Sequence, residues 1–178
     1  MEEGENKITD NLVARFYRPP EIYLGYPYDS GVDVWSFACT LFELFTGRVL
    51  FPGNSDSHMI KLIIEVKGPI PKKMRTQGKF SGKFFEDFSF VYSKDPLEGP
   101  VRVPLAELKK EKNLGVALEP KLKANLPQAP ADLQEHLKEV SLLQNLLEQC
   151  LEIDPNERIT PDLALNHPFL CKSNNNGR

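Results

Sequence analysis

The sequence predicts a mainly helical fold, and three observations lead to this prediction. Residues 32–45 are rich in large apolar side chains and are followed by Gly47, a residue type that commonly ends helices. Residues 131–152 place apolar side chains, mostly leucines, at steps of three and four, as on one face of a helix. The alternation of apolar and polar residues that marks a half-buried strand is almost absent.

The composition is that of a soluble globular domain. The chain has 178 residues, of which 40% are hydrophobic and 26% are charged, and its formal net charge is -3. We therefore expect one domain, no membrane-spanning segment, and a charge that disfavours nucleic-acid binding. The cysteines and histidines are scattered and lack metal-ligand spacing, so we expect reduced thiols and no metal site.

The first half of the chain contains one irregular segment and two predicted helices. Residues 1–28 are polar and then rich in proline, which predicts an extended or irregular segment. In 32–45 the apolar side chains cover nearly the whole circumference of a helix, so we expect this helix to be buried on all sides. A second helix should start at Ser55 and stop at Gly68.

The second half contains a long irregular region and two further helices. Prolines are dense between 68 and 130, which predicts loops with one short helix at Leu105–Lys112. The helix at 131–152 ends before an Asp-Pro pair. Thr160 then caps a last short helix that has proline at its first position.

Four motifs follow one another along the chain: R-F-Y-R-P-P-E at 15–21, D-V-W-S at 33–36, D-P-N-E-R-I-T at 154–160 and A-L-N-H-P-F at 164–169. They resemble, in this order, the end of a kinase activation segment, the start of the kinase F helix, a D-P-x-x-R-x-T turn and the last helix of the lobe. One such motif is weak evidence, but four in register are strong. The chain therefore resembles the helical C-terminal lobe of eukaryotic protein kinases.

Finer features resemble one kinase subgroup. The strings R-F-Y-R-x-P-E, L-F-E-L-F-T-G-R-V-L-F-P-G and H-M-I-K-L are similar to those of the pre-mRNA-processing kinases, which are related to the dual-specificity tyrosine-regulated kinases in the proline-directed (CMGC) group. The resemblance implies the end of the activation segment at 1–28, a helical lobe at 29–170 with the insert of the group at about 68–130, and a flexible tail at 171–178. It also implies a nuclear setting, with a cytoplasmic one left open.

The residues that transfer phosphate in this family are not found in the sequence. There is no G-x-G phosphate loop, and no histidine begins an H-R-D motif. The D-F-S string at 87–89 has nearly the form of a D-F-G motif but lies on the wrong side of the A-P-E-like region, and we interpret it as a coincidence. We therefore expect no catalytic, cofactor-binding or metal-binding residue in this chain. ATP and magnesium are implied only for the complete family domain.

The resemblance also implies roles for residues that support the fold. Glu21 is expected to pair with Arg158, which would join the activation segment to the helical lobe without taking part in chemistry. Asp33 holds the catalytic loop in the family. Because that loop is lacking here, we interpret Asp33 chiefly as a cap at its helix start. Trp35, at the same helix start, is interpreted as a core residue.

A docking site for protein substrates is implied at four residues, Arg15, Phe16, Tyr17 and Arg18. In the family the two arginines flank the pocket for the residue after the phosphorylated one, and they can also bind a phosphotyrosine. Two solvated arginines on a loop are the alternative. Asn11 stands in place of the activating tyrosine of the subgroup, and Ala14 in place of a hydroxyl residue that contacts the catalytic aspartate.

Two surface segments leave alternatives open. The basic residues between 67 and 83 have no acidic residue among them and could contact RNA or acidic partners, but solvated loop charge is the favoured interpretation. The phenylalanines between 80 and 90 are expected to anchor the insert on the lobe, or alternatively to form a partner site.

The sequence leaves three functions open. The favoured one is part of a Ser/Thr protein kinase domain that docks substrates and does not phosphorylate on its own. The second is a free-standing, non-catalytic lobe that acts as a binding module or decoy, and the third is a remnant without function. In the family an earlier helix covers the helix at 32–45, so we expect the chain alone to be marginally stable or to need a partner on that face.

Overall fold

The computed structural model describes residues 13–94, 99–118 and 130–171. These residues are mainly helical, as the sequence predicts, with one small sheet. The helices are α1 (Pro20–Leu24), α2 (Gly31–Thr46), α3 (Asp56–Lys67), α4 (Lys72–Gln77), α5 (114–118), α6 (Pro130–Cys150) and α7 (Pro161–Leu165). The strands are β1 (Phe85–Glu86), β2 (Ser89–Tyr92) and β3 (Val101–Pro104), and 3-10 turns cover Arg15–Tyr17, Ser81–Lys83 and Leu105–Glu107. None of these described helices is long and apolar enough to cross a membrane.

Helix α2 contributes one side to the core of the domain. Its buried residues belong to a single apolar cluster that also contains side chains of α3 and α6. The expectation that this helix is buried on all sides is wrong, because Phe37 is 43% exposed and Leu44 is 78% exposed. These two residues lie seven positions apart and therefore share a helix face. Within the described part of the chain, that face is left open to solvent.

Local signals set the ends of the other helices. The Ser55 hydroxyl accepts the N–H of His58 at 3.1 Å and so caps α3, which ends before Gly68 at a φ of 102°. Thr160 caps α7 by accepting the N–H of Leu163, and proline occupies the first position of that helix. Helix α6 lies close to the predicted 131–152, and the prediction of these three helices is confirmed.

A small antiparallel sheet, in the order β1-β2-β3, was not expected from the sequence. Phe90 on β2 is fully buried, with its ring 5.4 Å from that of Phe85 and 5.6 Å from that of Tyr92. The strands are two to four residues long, too short for a clear alternating pattern. Asp87 and Phe88 of the D-F-S string form the turn between β1 and β2, where Asp87 has a φ of 50°, and Ser89 begins β2.

Some of the phenylalanines between 80 and 90 pack into the apolar core. Phe84 and Phe90 are buried, whereas Phe88 is 84% exposed at the hairpin turn. The N–H of Phe80 donates to the carbonyl of Leu24 at 2.8 Å, and its ring lies over Gly25, where an added Cβ would come within 2.7 Å. Gly25 ends α1 with a φ of 63°. Glycine is needed here because other residues are strained at this φ and because a Cβ would clash with the ring of Phe80.

The helix predicted at Leu105–Lys112 is present only as the 3-10 turn Leu105–Glu107. The amides of Glu111 and Lys112 both donate to the backbone carbonyl of Glu65, at 2.7 Å each. They therefore hold this segment extended along α3 instead of forming helical hydrogen bonds with their own neighbours.

Ion pairs join α3, the 108–112 segment and α6. Lys67 Nζ donates to the backbone carbonyl of Glu148 at 3.0 Å and to its carboxylate at 2.5 Å, and Lys110 Nζ lies 3.4 Å from the same carboxylate. Burial raises the pKa of Glu148, but the two lysines more than offset this effect. The pKa of Glu148 is therefore lower than its ordinary value of 4.5.

We expect Glu148 to make stability sensitive to acid. Because its pKa is lower in the folded than in the unfolded chain, its contribution is present above about pH 4.5 and is lost as the pH falls through the lowered value. In Glu148→Gln, the loss of unfolding free energy between neutral pH and about pH 3 should be smaller than in the wild type. Urea denaturation at several pH values measures this loss. The exposed Glu107→Gln is the control, and equal losses in the two variants would contradict the expectation.

Candidate functional site

The 3-10 turn Arg15–Tyr17 is held against α2 by side-chain hydrogen bonds. The hydroxyl of Tyr17 donates to the carboxylate of Glu43 at 2.7 Å, and this bond raises the pKa of Tyr17. The hydroxyl of Ser36 donates to the carbonyl of Tyr17 at 3.0 Å. The turn therefore has a fixed position on the side of α2, while the ring of Phe16 remains 40% exposed.

The two arginines of this segment have different environments. Arg15 is half exposed, and its Nη1 donates to the carbonyl of Asn54 at 3.1 Å. Arg18 is only 8% exposed; its Nε donates to the carbonyl of Val13 at 2.9 Å, and its guanidinium lies 5.1 Å from the ring centre of Tyr23. Arg18 is thus not a solvated loop residue, whereas the exposed face of Arg15 is free to contact another molecule.

Asp56, in the first turn of α3, lies beside both arginines. Its Oδ1 is 3.6 Å from Arg15 Nε and 3.9 Å from Arg18 Nη1. The sequence indicates Asp56 only as an acidic residue at a helix start. No signal in the sequence points to its contact with the arginines, because the two segments are far apart along the chain.

Glu21 and Arg158 form a buried ion pair. Arg158 Nη1 and Nη2 donate to the two carboxylate oxygens of Glu21 at 2.6 and 2.9 Å, and both side chains are fully buried. Arg158 also donates to the carbonyls of Gly31 at 2.8 Å and Glu152 at 2.9 Å. The pair therefore connects α1, the start of α2 and the turn after α6.

Trp35 lies in the core beside this pair. Its side chain is fully buried, its ring stacks on Phe51 with centroids 5.8 Å apart, and the guanidinium of Arg158 lies 5.2 Å from the ring centre. The indole Nε1 is buried and has no hydrogen-bond partner among the described residues. The ring therefore contributes packing, and its polar atom contributes no hydrogen bond.

Asp33 lies in the first turn of α2 but is not the residue that caps it. The cap position belongs to Ser30, whose side chain makes no capping hydrogen bond, so the interpretation of Asp33 as the cap is corrected. Because α2 begins at Gly31, Asp33 is its third residue and lies inside the helix. In the described part of the chain, the exposed Asp33 carboxylate has neither a hydrogen bond nor an ion pair.

Two of the three thiols and two of the basic residues between 67 and 83 are engaged inside the domain. No three metal-ligating side chains converge among the described residues. Burial raises the pKa of Cys39 and raises that of Cys150 to about 11, so both are protonated thiols at neutral pH. In the basic 67–83 segment, Lys67 pairs with Glu148, and Arg75 donates to the carbonyl of Ile70 at 3.0 Å. These two charges are engaged within the domain rather than in one free patch.

Comparison with known proteins places the chain in a family. Residues 1–170 match the family model described as "Protein kinase domain". Serine/threonine-protein kinase prp4 of Schizosaccharomyces pombe is 38% identical over 172 residues, covering 95% of this chain and 34% of the relative. Serine/threonine-protein kinase prpf4B of Dictyostelium discoideum is 43% identical over 169 residues, covering 93% of this chain and 20% of the relative.

A third relative extends the similarity to a neighbouring kinase subgroup. Dual specificity tyrosine-phosphorylation-regulated kinase 3 of Mus musculus is 34% identical over 170 residues, covering 94% of this chain and 28% of the relative. The chain thus spans a fifth to a third of the length of these relatives. The resemblance derived from the motifs is confirmed: this chain belongs to the protein kinase domain family and is similar to the prp4-like serine/threonine kinases.

Proposed function

We propose that this chain is the substrate-docking, C-terminal-lobe part of a serine/threonine protein kinase domain of the prp4 type. The observation that carries the proposal is the geometry of residues 15–18, which are fixed to α2 by hydrogen bonds while Phe16 and one face of Arg15 stay exposed. A preformed cation beside an apolar ring binds a peptide at a low entropic cost. In this proposal residues 1–28 are the end of the activation segment and residues 29–170 are the helical lobe; the predictions for residues 1–12 and for the flexible tail beyond Cys171 lie outside the described residues.

In this proposal the chain alone does not transfer phosphate. ATP and magnesium are bound by residues of a further part of the kinase, since the sequence contains no G-x-G and no H-R-D motif. One face of α2 supports this arrangement. It carries the exposed carboxylate of Asp33 together with the exposed side chains of Phe37 and Leu44, a mixed surface suited to covering by another protein segment.

The docking role is tested by peptide binding. The probe is a serine-containing peptide that a purified prp4-type kinase phosphorylates. We expect the chain to bind it and to lose at least about tenfold in affinity on Arg15→Gln, because one charge-assisted contact contributes about 1.5–3 kcal/mol. Fluorescence anisotropy measures the affinity, and circular dichroism verifies that the variant is folded.

The control for peptide binding is Arg102→Gln, which removes an exposed arginine of β3 far along the chain from the site. We expect this variant to bind as the wild type does. Equal losses of peptide affinity in the two variants would show that the effect comes from net charge and not from a specific contact. Unchanged affinity in Arg15→Gln would contradict the docking site.

A free-standing, non-catalytic binding module is the second candidate function. It is favoured by the departures at Asn11 and Ala14, which affect contacts needed for catalysis but not for docking. The intact mass of the cellular protein separates the two candidates. A species well above 20.2 kDa supports the kinase, and one at 20.2 kDa supports the module. By resemblance to the pre-mRNA-processing kinases, we propose a nuclear setting for either.

A further inference from the structure

The carboxylate of Asp56 lies close to two guanidinium groups and to the N-terminus of α3. One of its oxygens is 3.6 Å from Arg15 Nε and 3.9 Å from Arg18 Nη1. Asp56 is also the first residue of α3, a helix of 12 residues, where the unpaired backbone N–H groups carry partial positive charge. Within the described part of the chain, it is the only carboxylate at ion-pair distance from either arginine.

Arg18 depends more strongly on this carboxylate than Arg15 does, because Arg18 is the more buried of the two. Its side chain is 9% exposed, and its single hydrogen bond within the described residues is from Nε to the carbonyl of Val13. A cation removed from water to this extent requires a nearby anion or several acceptors. Asp56 provides that anion at a distance too long for a hydrogen bond, so it acts through charge and not through a fixed bonding geometry.

Two contacts hold the side chain of Arg15 at the start of α3. Its Nη1 donates to the carbonyl of Asn54 at 3.1 Å, and its Nε faces Asp56. The two guanidiniums come from one short turn and repel each other. Without the carboxylate, the turn would keep the hydrogen bond of Arg15 to Asn54 and its hydrogen bonds to α2, but the attraction of both guanidiniums to the charge of Asp56 would be lost.

We propose that Asp56 is a built-in counter-anion that positions residues 13–18 on α3. It supplies, from within the chain, a permanent negative charge close to both arginines. The docking segment is therefore ordered without any modification of this chain. The positioning itself depends only on the contacts above; its consequence for substrate binding rests on the proposed docking function.

Hydrogen exchange of the 178-residue chain tests this inference. In Asp56→Asn we expect the amides of Tyr17 and Arg18 to exchange about fivefold faster, the size expected from losing two partly exposed ion pairs. Inorganic phosphate should restore the slow exchange in this variant and leave the wild type unchanged, with sodium chloride at equal ionic strength as the reference. Asp56→Glu, which keeps the charge, should exchange nearly as slowly as the wild type.

Two further variants test whether the faster exchange is specific to the loss of the Asp56 charge. Asp132→Asn removes an exposed acid from the first turn of α6 and should leave exchange of the two amides unchanged. Adding Arg15→Gln to Asp56→Asn should abolish the rescue by phosphate. Slow exchange of the α3 amides in each variant verifies that α3 is intact, so that faster exchange of the two amides reports the turn and not unfolding.

Several outcomes would overturn the inference. Unchanged exchange in Asp56→Asn would show that the hydrogen bonds of the turn to α1, α2 and Asn54 order it without the charge of Asp56. Protection of the wild type by phosphate would show that Asp56 does not fill the anion position. No peptide is present in these measurements. If the chain fails to bind the peptide but exchange in Asp56→Asn changes as expected, the docking function is wrong and the positioning role of Asp56 is still supported.

Discussion

Replacing Glu21 by glutamine is expected to lower the free energy of unfolding by about 3–5 kcal/mol, because it leaves the guanidinium of Arg158 buried without a counter-charge. Both side chains are fully buried and share two hydrogen bonds of 2.6 and 2.9 Å. The remaining bonds of Arg158 to two backbone carbonyls satisfy donors but do not neutralise its charge. The midpoint of urea denaturation measures the loss, with a constant slope required for the comparison.

The matched control is Glu86→Gln, which breaks the exposed pair of Glu86 with Arg102. Its atoms are 2.6 Å apart, yet the side chains are 51% and 59% exposed, so we expect a loss below about 1 kcal/mol. Removing both charges of the buried pair, with Glu21→Leu and Arg158→Met, should cost less than the sum of the two single changes. Equal losses for Glu21→Gln and Glu86→Gln would contradict this account of the buried pair.

Truncating Trp35 to alanine is expected to cost about 3–5 kcal/mol, since it removes the largest fully buried side chain of α2. The truncation also removes the stacking of the indole ring on Phe51 and its contact with the guanidinium of Arg158. Trp35→Phe should cost less than about 1.5 kcal/mol, because an aromatic ring remains and the removed Nε1–H has no partner among the described residues. Thermal and urea denaturation of both variants measure these effects.

Phe37→Ala, in the same helix, is the control for the loss of an aromatic ring. Phe37 is 43% exposed, so its removal should cost far less than that of Trp35. If Trp35→Phe proved as damaging as Trp35→Ala, the indole nitrogen would have to make a hydrogen bond, and the packing explanation would fail.

The parts of the fold that were predicted from the sequence are those with local signals. Helix α3 was predicted from the cap at Ser55 and the stop at Gly68, because a capping hydroxyl and a glycine act on their immediate neighbours. The small sheet was missed because its strands are two to four residues long, and alternation needs a longer stretch to be recognised.

The burial of α2 shows a second limit of sequence reasoning. Its composition predicted a helix buried on all sides, but composition cannot say which neighbours are present to cover each face. Phe37 and Leu44 are as apolar as the buried residues of the same helix and are nonetheless exposed. The candidate site shows the same limit, since motifs indicated Arg15 and Arg18, while Asp56, brought in by tertiary packing, carries no motif.

The ion pair of Glu21 with Arg158 also constrains the order in which the domain can assemble. Its two residues are 137 positions apart, so the contact closes a loop that contains most of the chain. A nascent chain that has not yet emerged from the ribosome as far as Arg158 has no partner for Glu21, and α1 cannot be buried without the cost of a lone carboxylate. We therefore expect α1 to be completed late in folding, after α2, α3 and α6 have brought the distant turn into place.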